Sequence, residues 1–215
     1  MDKLAAYYAK RATEYERIYA RPERQADLAA LRARIGKMFS GRKVLELACG
    51  TGYWSAVIAP AAARVTAIDL NDEVLAIAGT KTYPQDRVEF QRGDCYALPD
   101  FGRTHDALFA GFWWSHVPLA RLDAFLATAT RSVARGALIA FLDNRYVEGS
   151  STAISRRDEE GNSYQQRRLD DGSSHEVLKN FPSEGELIRR ASRHGCGANV
   201  EQLEHYWLLT WWAPA

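Results

Sequence analysis

The chain has 215 residues, 47% of them hydrophobic and 11% aromatic, enough apolar material for one domain with a real core. Lys plus Arg number 28 and Asp plus Glu 27, for a net charge of +1, so the basic surplus of a duplex-binding protein is missing. Cys49, Cys95 and Cys196 are odd in number and fit no metal or disulfide spacing, which points to a reducing cytoplasm; the charged N-terminus reads as no signal peptide, and no apolar run is long enough to span a membrane.

In chain order, the first twenty residues predict a helix, with Leu4, Tyr8, Arg11, Tyr15 and Ile18 on one face at a period of about 3.6 residues. A second helix is expected over 23–39. Then strands at 43–48, 64–69, 88–94, 105–114 and 136–144 alternate with helices at 53–62, 72–81 and 119–133. Short apolar strands separated by helices predict an α/β fold with a doubly wound, mostly parallel, seven-stranded sheet. Its ligand belongs at the carboxyl ends of the strands, near the switch point. After Asn144 the rhythm breaks. Residues 162–181 read as two polar strands around the "DDG" turn at Asp170–Gly172, a hairpin signal. Ser183 and Glu186 form a capping box that opens a helix ending at Gly195, and one or two strands close the chain. The expected organisation is one domain, 1–215, with the N-terminal helices (1–40) and an insertion (145–182) as a cap.

"VLELACGTGYWS" (Val44–Ser55) is a strand, a glycine turn and a helix start. Small residues at Ala48, Gly50 and Gly52 let a ligand approach the backbone and the N-terminal N–H groups of the following helix. A phosphate loop would need a lysine that this turn lacks, and the third glycine of a dinucleotide turn falls at Ser55. Asp69 ends the next strand, 17 residues past Gly52. A carboxylate there can accept both hydroxyls of a ribose, in NAD or in S-adenosylmethionine. Asp94 ends the third strand, where it can take the exocyclic amine of an adenine, with Leu70 and Cys95 near the ring faces.

"VLELACGTGYWS", "VTAIDLN", "RGDC" and "LFAGFWWSHVP", in that order over Val44–Asp143, resemble the successive motifs of class I S-adenosylmethionine-dependent methyltransferases. Ala48 departs from the pattern, since many members carry glycine there. The resemblance implies a Rossmann-like methyltransferase fold and S-adenosylmethionine as cofactor. Ala48, Cys49, Gly50, Gly52, Trp54 and Gly111 would then surround its methionine end, and Asp69, Leu70, Asp94 and Cys95 its nucleoside. Over nearly the whole chain, "YYAKRATEYE", "FWWSHVP" and "RRLDDGSSHEVLKNFPSEGEL" are similar to phosphonate O-methyltransferases.

Methyl transfer from a sulfonium requires desolvation and alignment; a base is needed only if the acceptor must lose a proton. A phosphonate or carboxylate needs none at neutral pH. His116 follows the fourth strand and is the expected catalytic residue, as acceptor contact or general base. Of the flanking Trp113 and Trp114, alternation predicts one wall and one core residue. Arg11 interrupts an apolar helix face and calls for an anion, the cofactor carboxylate being the economical partner, helped by Tyr7 or Tyr15. Arg167 and Arg168 should face opposite ways, and the resemblance favours Arg168 with Lys179 as acid-binding groups. The expected activity is methylation of a small-molecule acid by a cytoplasmic monomer or homodimer. The alternatives are N- or C-methylation of a heteroaromatic metabolite, and a non-catalytic cofactor-binding module. A reductase would need a catalytic Tyr/Lys pair, and none is clear. Nucleic acid, membrane and metal are not expected.

Overall fold

Five parallel strands form the centre of the protein in a computed structural model that describes residues 3–84 and 86–215. They are β1 (Lys43–Leu47), β2 (Arg64–Asp69), β3 (Val88–Arg92), β4 (Ala107–Gly111) and β5 (Leu138–Asn144). Two more, β9 (Cys196–Gln202) and β10 (Tyr206–Trp212), complete a sheet of order β3-β2-β1-β4-β5-β10-β9. Only β10 runs antiparallel to its neighbours β5 and β9. This is the seven-stranded, mostly parallel sheet that the alternation predicts. Four of β1's five residues are buried, as befits a parallel strand covered on both faces.

The two faces of the sheet carry two apolar clusters. Leu45, Leu47, Leu108 and Phe141 point to one side, where they meet Leu122, Phe125 and Leu126 of α5 (Leu119–Arg131). Val44, Phe109, Ala140 and Leu142 point to the other, against Leu28, Leu31 and Ile35 of α2 (Gln25–Met38). Residues one apart on a strand face opposite ways, while α5 presents its apolar positions at spacings of three and four. Two short helices complete the central layers, α3 (Tyr53–Ile58) and α4 (Asp72–Gly79). The expected helix over 53–62 stops early because Pro60 has no N–H to continue the hydrogen-bond ladder, although Ala59 before it is still helical (φ −56°, ψ −35°). Among the described residues no helix is long and apolar enough to cross a membrane.

Larger departures from expectation lie at the N-terminal segment, the hairpin and the last helix. The N-terminal helix is not continuous: α1 (Lys3–Arg11) gives way to a 3-10 segment, Ala12–Ala20. The hairpin of β7 (Ser163–Arg168) and β8 (Ser174–Leu178) gains a third, two-residue strand, β6 (Arg156–Arg157). Finally, α6 (Glu184–Ala191) opens on the expected Ser183–Glu186 capping box but ends four residues before Gly195. That glycine is a packing requirement: a Cβ on it would sit 2.0 Å from the Trp212 carbonyl oxygen.

Candidate active site

The chain visits β1, β2 and β3 on one side and then returns to place β4 on the other side of β1. That reversal leaves a crevice at the carboxyl ends of β1 and β4. The turn after β1 is left-handed at Ala48 (φ 50°), Gly50 (φ 55°) and Gly52 (φ 75°). The Asp69 carboxylate holds it: Oδ2 accepts the Gly50 N–H at 2.9 Å and Oδ1 the Asn71 N–H at 3.0 Å. Burial raises the Asp69 pKa, against the pull of those backbone donors.

A cavity of about 210 Å³ lies over this turn, and Ala48, Gly50, Asp69, Leu70, Asp94 and Gly111 line it, together with Cys95 and Tyr15. Asp94 Oδ1 accepts the Tyr96 N–H at 2.8 Å. A Cβ on Gly50 would meet nothing within 4 Å, so the turn leaves open space above its backbone. Two strand-tip carboxylates, an open glycine and an apolar wall fit a nucleoside joined to a small charged tail. Cys49, Gly52 and Trp54 stand behind this lining. Trp54 is buried against Gly111, and Gly52 packs on Ala78 and Tyr83. Burial pushes the Cys49 and Cys95 thiols up, so both stay protonated.

A second cavity, of about 320 Å³, adjoins the first. Arg11, Arg24, Arg167, Arg168 and Lys179 line it, with Glu14 the sole carboxylate among its lining residues. Tyr7 and Arg11, expected near the donor's carboxylate, line this cavity and not the first. The Arg11 guanidinium lies over the Tyr7 ring at 5.8 Å and the Tyr15 ring at 5.3 Å. Among the described residues, Arg11, Arg167 and Arg168 have no carboxylate within ion-pair distance. Arg167 donates from Nη2 to Gln165 Oε1 at 2.7 Å, and its buried Nε has no partner.

Three expectations need correction here. Arg168 is exposed and Arg167 is the half-buried, inward member of the pair. The strand parity is set by buried Ser163, Gln165 and Leu169. Lys179 lines the cavity but is not a free cation. It is 3% exposed, ion-paired to Asp143 Oδ1 at 2.8 Å, and donates to Ser115 Oγ at 2.6 Å. Burial pulls its amine down to about 8 against the attraction of Asp143. Burial alone would raise Asp143, but the Lys179 charge, with hydrogen bonds from Lys179 and the Ser115 N–H, holds it below the usual carboxylate range. The tryptophans divide into one core and one wall residue, as alternation predicts, but the wall is not on the arginine-lined side. Trp114 is core, edge-on to Phe141 and Trp207, while Trp113 lines the first cavity and not the second.

Tyr8, Tyr15, Phe112 and His116 line both cavities. His116 is buried at this junction. Its Nδ1 lies 2.7 Å from the Leu178 carbonyl oxygen, which can only accept, so Nδ1 carries the proton. Its Nε2, 2.7 Å from the Tyr8 hydroxyl, therefore accepts from it. Burial, then the nearby Lys179 and Arg167 charges, hold the His116 pKa well below 6.5, and Asp143 opposes them. Burial pushes the Tyr8 phenol up. Tyr8, Phe112 and Arg167 are site residues that the sequence reading did not single out. The apolar Leu169 and Val177 on the hairpin carried the parity signal for Arg167.

The N-terminal segment is tied to both neighbours of the site. Glu16 Oε1 accepts from Thr51 Oγ1, in the glycine turn, at 2.6 Å and pairs with Lys81 beyond α4. Arg17 pairs with Asp170 at the hairpin turn at 2.6 Å, and the Asp170 N–H donates to Glu14 at 3.1 Å. Tyr19 stacks on Tyr53 with ring centres 3.7 Å apart. Among the described residues no group of three or more His, Cys, Asp or Glu is placed to hold a metal ion.

The methyltransferase-domain family profile matches residues 44–136. The demethylmenaquinone methyltransferase of Staphylococcus aureus (strain JH9) is 32% identical over 81 residues, 36% of this chain and 34% of that enzyme. The match thus spans about a third of that relative's length. Two solved structures align over nearly the whole chain. The DhpI–SAM–HEP complex is 33% identical, covers 97% of this chain and 95% of that one, and has a TM-score of 0.79. The DhpI–SAH complex is 32% identical, covers 99% and 96%, and has a TM-score of 0.76.

Proposed function

Since the chain belongs to the class I S-adenosylmethionine-dependent methyltransferases, we propose that it methylates an acidic oxygen, phosphonate or carboxylate, on a small molecule. The observation that carries this reading is the second cavity. Arg11 and Arg167 face it without a carboxylate partner, and desolvated guanidinium groups of this kind seek an oxyanion. The full-length similarity to the DhpI–SAM–HEP complex supports it. Trp114 lies in the core, which removes half of the aromatic platform that a heteroaromatic acceptor would stack on.

S-adenosylmethionine supplies a methyl group already activated on a sulfonium. The chain's part is to bind, align and exclude water. Asp69 and Asp94 hold the nucleoside, and the turn at Ala48–Gly52 shapes the approach to its tail. Arg11 and Arg167 hold the acid with its attacking oxygen toward the junction, which Tyr15 and Phe112 wall off. The N-terminal helices and the 145–182 insertion act together as the cap.

The test is calorimetric titration with S-adenosylhomocysteine and NADH in parallel, then methyl uptake from S-adenosylmethionine with phosphonates, carboxylates and heteroaromatic amines. The expected result is binding of the first ligand alone and methyl esters as products. Methylation confined to the amines would overturn the acidic-acceptor reading.

A further inference from the structure

A histidine at the meeting point of donor and acceptor invites the role of general base. The bonding around His116 argues otherwise. Both ring nitrogens are engaged, Nδ1–H by the Leu178 carbonyl and Nε2 by the Tyr8 hydroxyl, each at 2.7 Å. The ring is 4% exposed, so an acceptor can reach Nε2 only by displacing Tyr8. Of the two phenols that line both cavities, Tyr15 is bonded to Tyr19 and Tyr8 to His116. Tyr8 stays protonated and donates its O–H to His116 Nε2, which leaves its oxygen two lone pairs at the junction.

We propose that Tyr8, not His116, meets the acceptor, accepting from the P–OH that a phosphonate monoanion keeps beside its attacking oxygen, and that His116 is a positioning residue, locked as one neutral tautomer, that fixes the Tyr8 hydroxyl in this accepting state. The inference rests on the acidic-acceptor reading for the chemistry and on the two hydrogen bonds for the geometry. The charges that face His116 agree with it. Lys179, following β8, and Arg167, on β7, lie against it, with Arg11 from α1 beside Tyr8; Asp143 at the end of β5 is neutralised by Lys179. An imidazolium placed among these cations would be disfavoured.

The transfer then needs no proton acceptor. A C–O bond forms as the C–S bond breaks. The negative charge on the oxygen and the positive charge on the sulfonium cancel, and no proton moves. The site therefore selects acceptors that arrive already ionised. A neutral alcohol or phenol would find no free base.

Three variants and a spectrum test this. His116→Gln keeps an amide N–H for Leu178 and an oxygen for Tyr8 but cannot take up a proton. With ethylphosphonate as acceptor, it should retain kcat/KM within about tenfold of the parent. His116→Ala and Tyr8→Phe should lose about ten- to a hundredfold, the range for one hydrogen bond in a charged site. Both side chains also line the donor cavity, so S-adenosylhomocysteine affinity is measured alongside, and its change should be smaller than the change in kcat/KM. In 15N-histidine-labelled protein carrying S-adenosylhomocysteine, the His116 signal should stay that of the neutral Nδ1–H tautomer from about pH 5.5 to 8.5. A signal that titrates in this range, or a His116→Gln protein as inactive as His116→Ala, overturns the proposal. If the parent methylates no acid, the acidic-acceptor reading fails, and the nitrogen spectrum still decides the state of His116.

Discussion

Asp69 has two tasks at one strand tip. It lines the donor cavity, and it also anchors the glycine turn through the Gly50 and Asn71 amides. Asp69→Ala should therefore weaken S-adenosylhomocysteine binding by more than about tenfold and also lower the stability of the ligand-free protein by about 1–3 kcal/mol, the cost of buried donors left unpaired. Calorimetry and urea denaturation measure the two effects separately. Lost stability with unchanged affinity would leave Asp69 a turn anchor only. The position of Asp69, and that of Asp94, is legible in the sequence because strand ends and motif order place them. Tyr8 is not, because a tyrosine on an apolar helix face has the pattern of a core residue; its role depends on His116, 108 positions away. Lys179 is obscured in the same way, since its counterion Asp143 and its acceptor Ser115 come from separate loops and strands. Ala48 departs from the glycine common in the family, yet it adopts φ 50°, a conformation that favours glycine.

Among the elements, the 3-10 segment Ala12–Ala20 links the halves of the site. Its middle is bonded through Glu16 to the glycine turn and to Lys81 beyond α4, and the flanking Glu14 and Arg17 are bonded to the hairpin turn. Glu16→Ala removes the acceptor for Thr51 and Lys81 together. The pair with Lys81 is half exposed and weak on its own, so a two- to tenfold loss of S-adenosylhomocysteine affinity is expected, about 0.4–1.4 kcal/mol, with faster proteolysis before residue 20. If neither changes, the Tyr19–Tyr53 stack is what holds the segment. The helical period over the first twenty residues is readable, but the tightening after Arg11 is not, because contacts with α4 and the hairpin impose it. The hairpin is readable from "DDG", and its inward face from Leu169 and Val177. The two-residue β6 has no sequence signal of its own and pairs only because β7 offers an edge.

For the molecule as a whole, the sheet is the most legible feature, since β1, β2, β4 and β5 are buried on both faces and read as mostly apolar runs. The same burial creates a charge problem in the middle of it. Glu46 is 1% exposed on β1, and among the described residues its carboxyl has only Ser55 Oγ, at 2.6 Å, as a hydrogen-bond partner. Burial pushes its carboxyl up from 4.5 to about 8. Between those values the unfolded chain releases the proton and the folded chain keeps it, so the contribution of Glu46 to stability falls as pH rises from 4.5 to about 8. His116 acts in the opposite sense below pH 6.5, because it stays neutral in the fold while the unfolded chain takes up a proton. The decisive quantity is thus the difference between two proteins. Relative to the parent, Glu46→Gln should gain stability steadily between about pH 5.5 and 8 in urea titrations. A constant difference would mean that Glu46 is ionised in the fold.

The two cavities draw on separate stretches of chain. Among the described residues, none from 144–181 lines the donor cavity, and none from 25–111 lines the acceptor cavity. Ancestry can act on them separately. Drift, insertion or exchange of the later stretch rewrites what is methylated while the earlier one goes on holding the same donor. The sites that cannot drift freely are the four side chains common to both walls, and at those positions a lineage that changes its acceptor should leave its mark last.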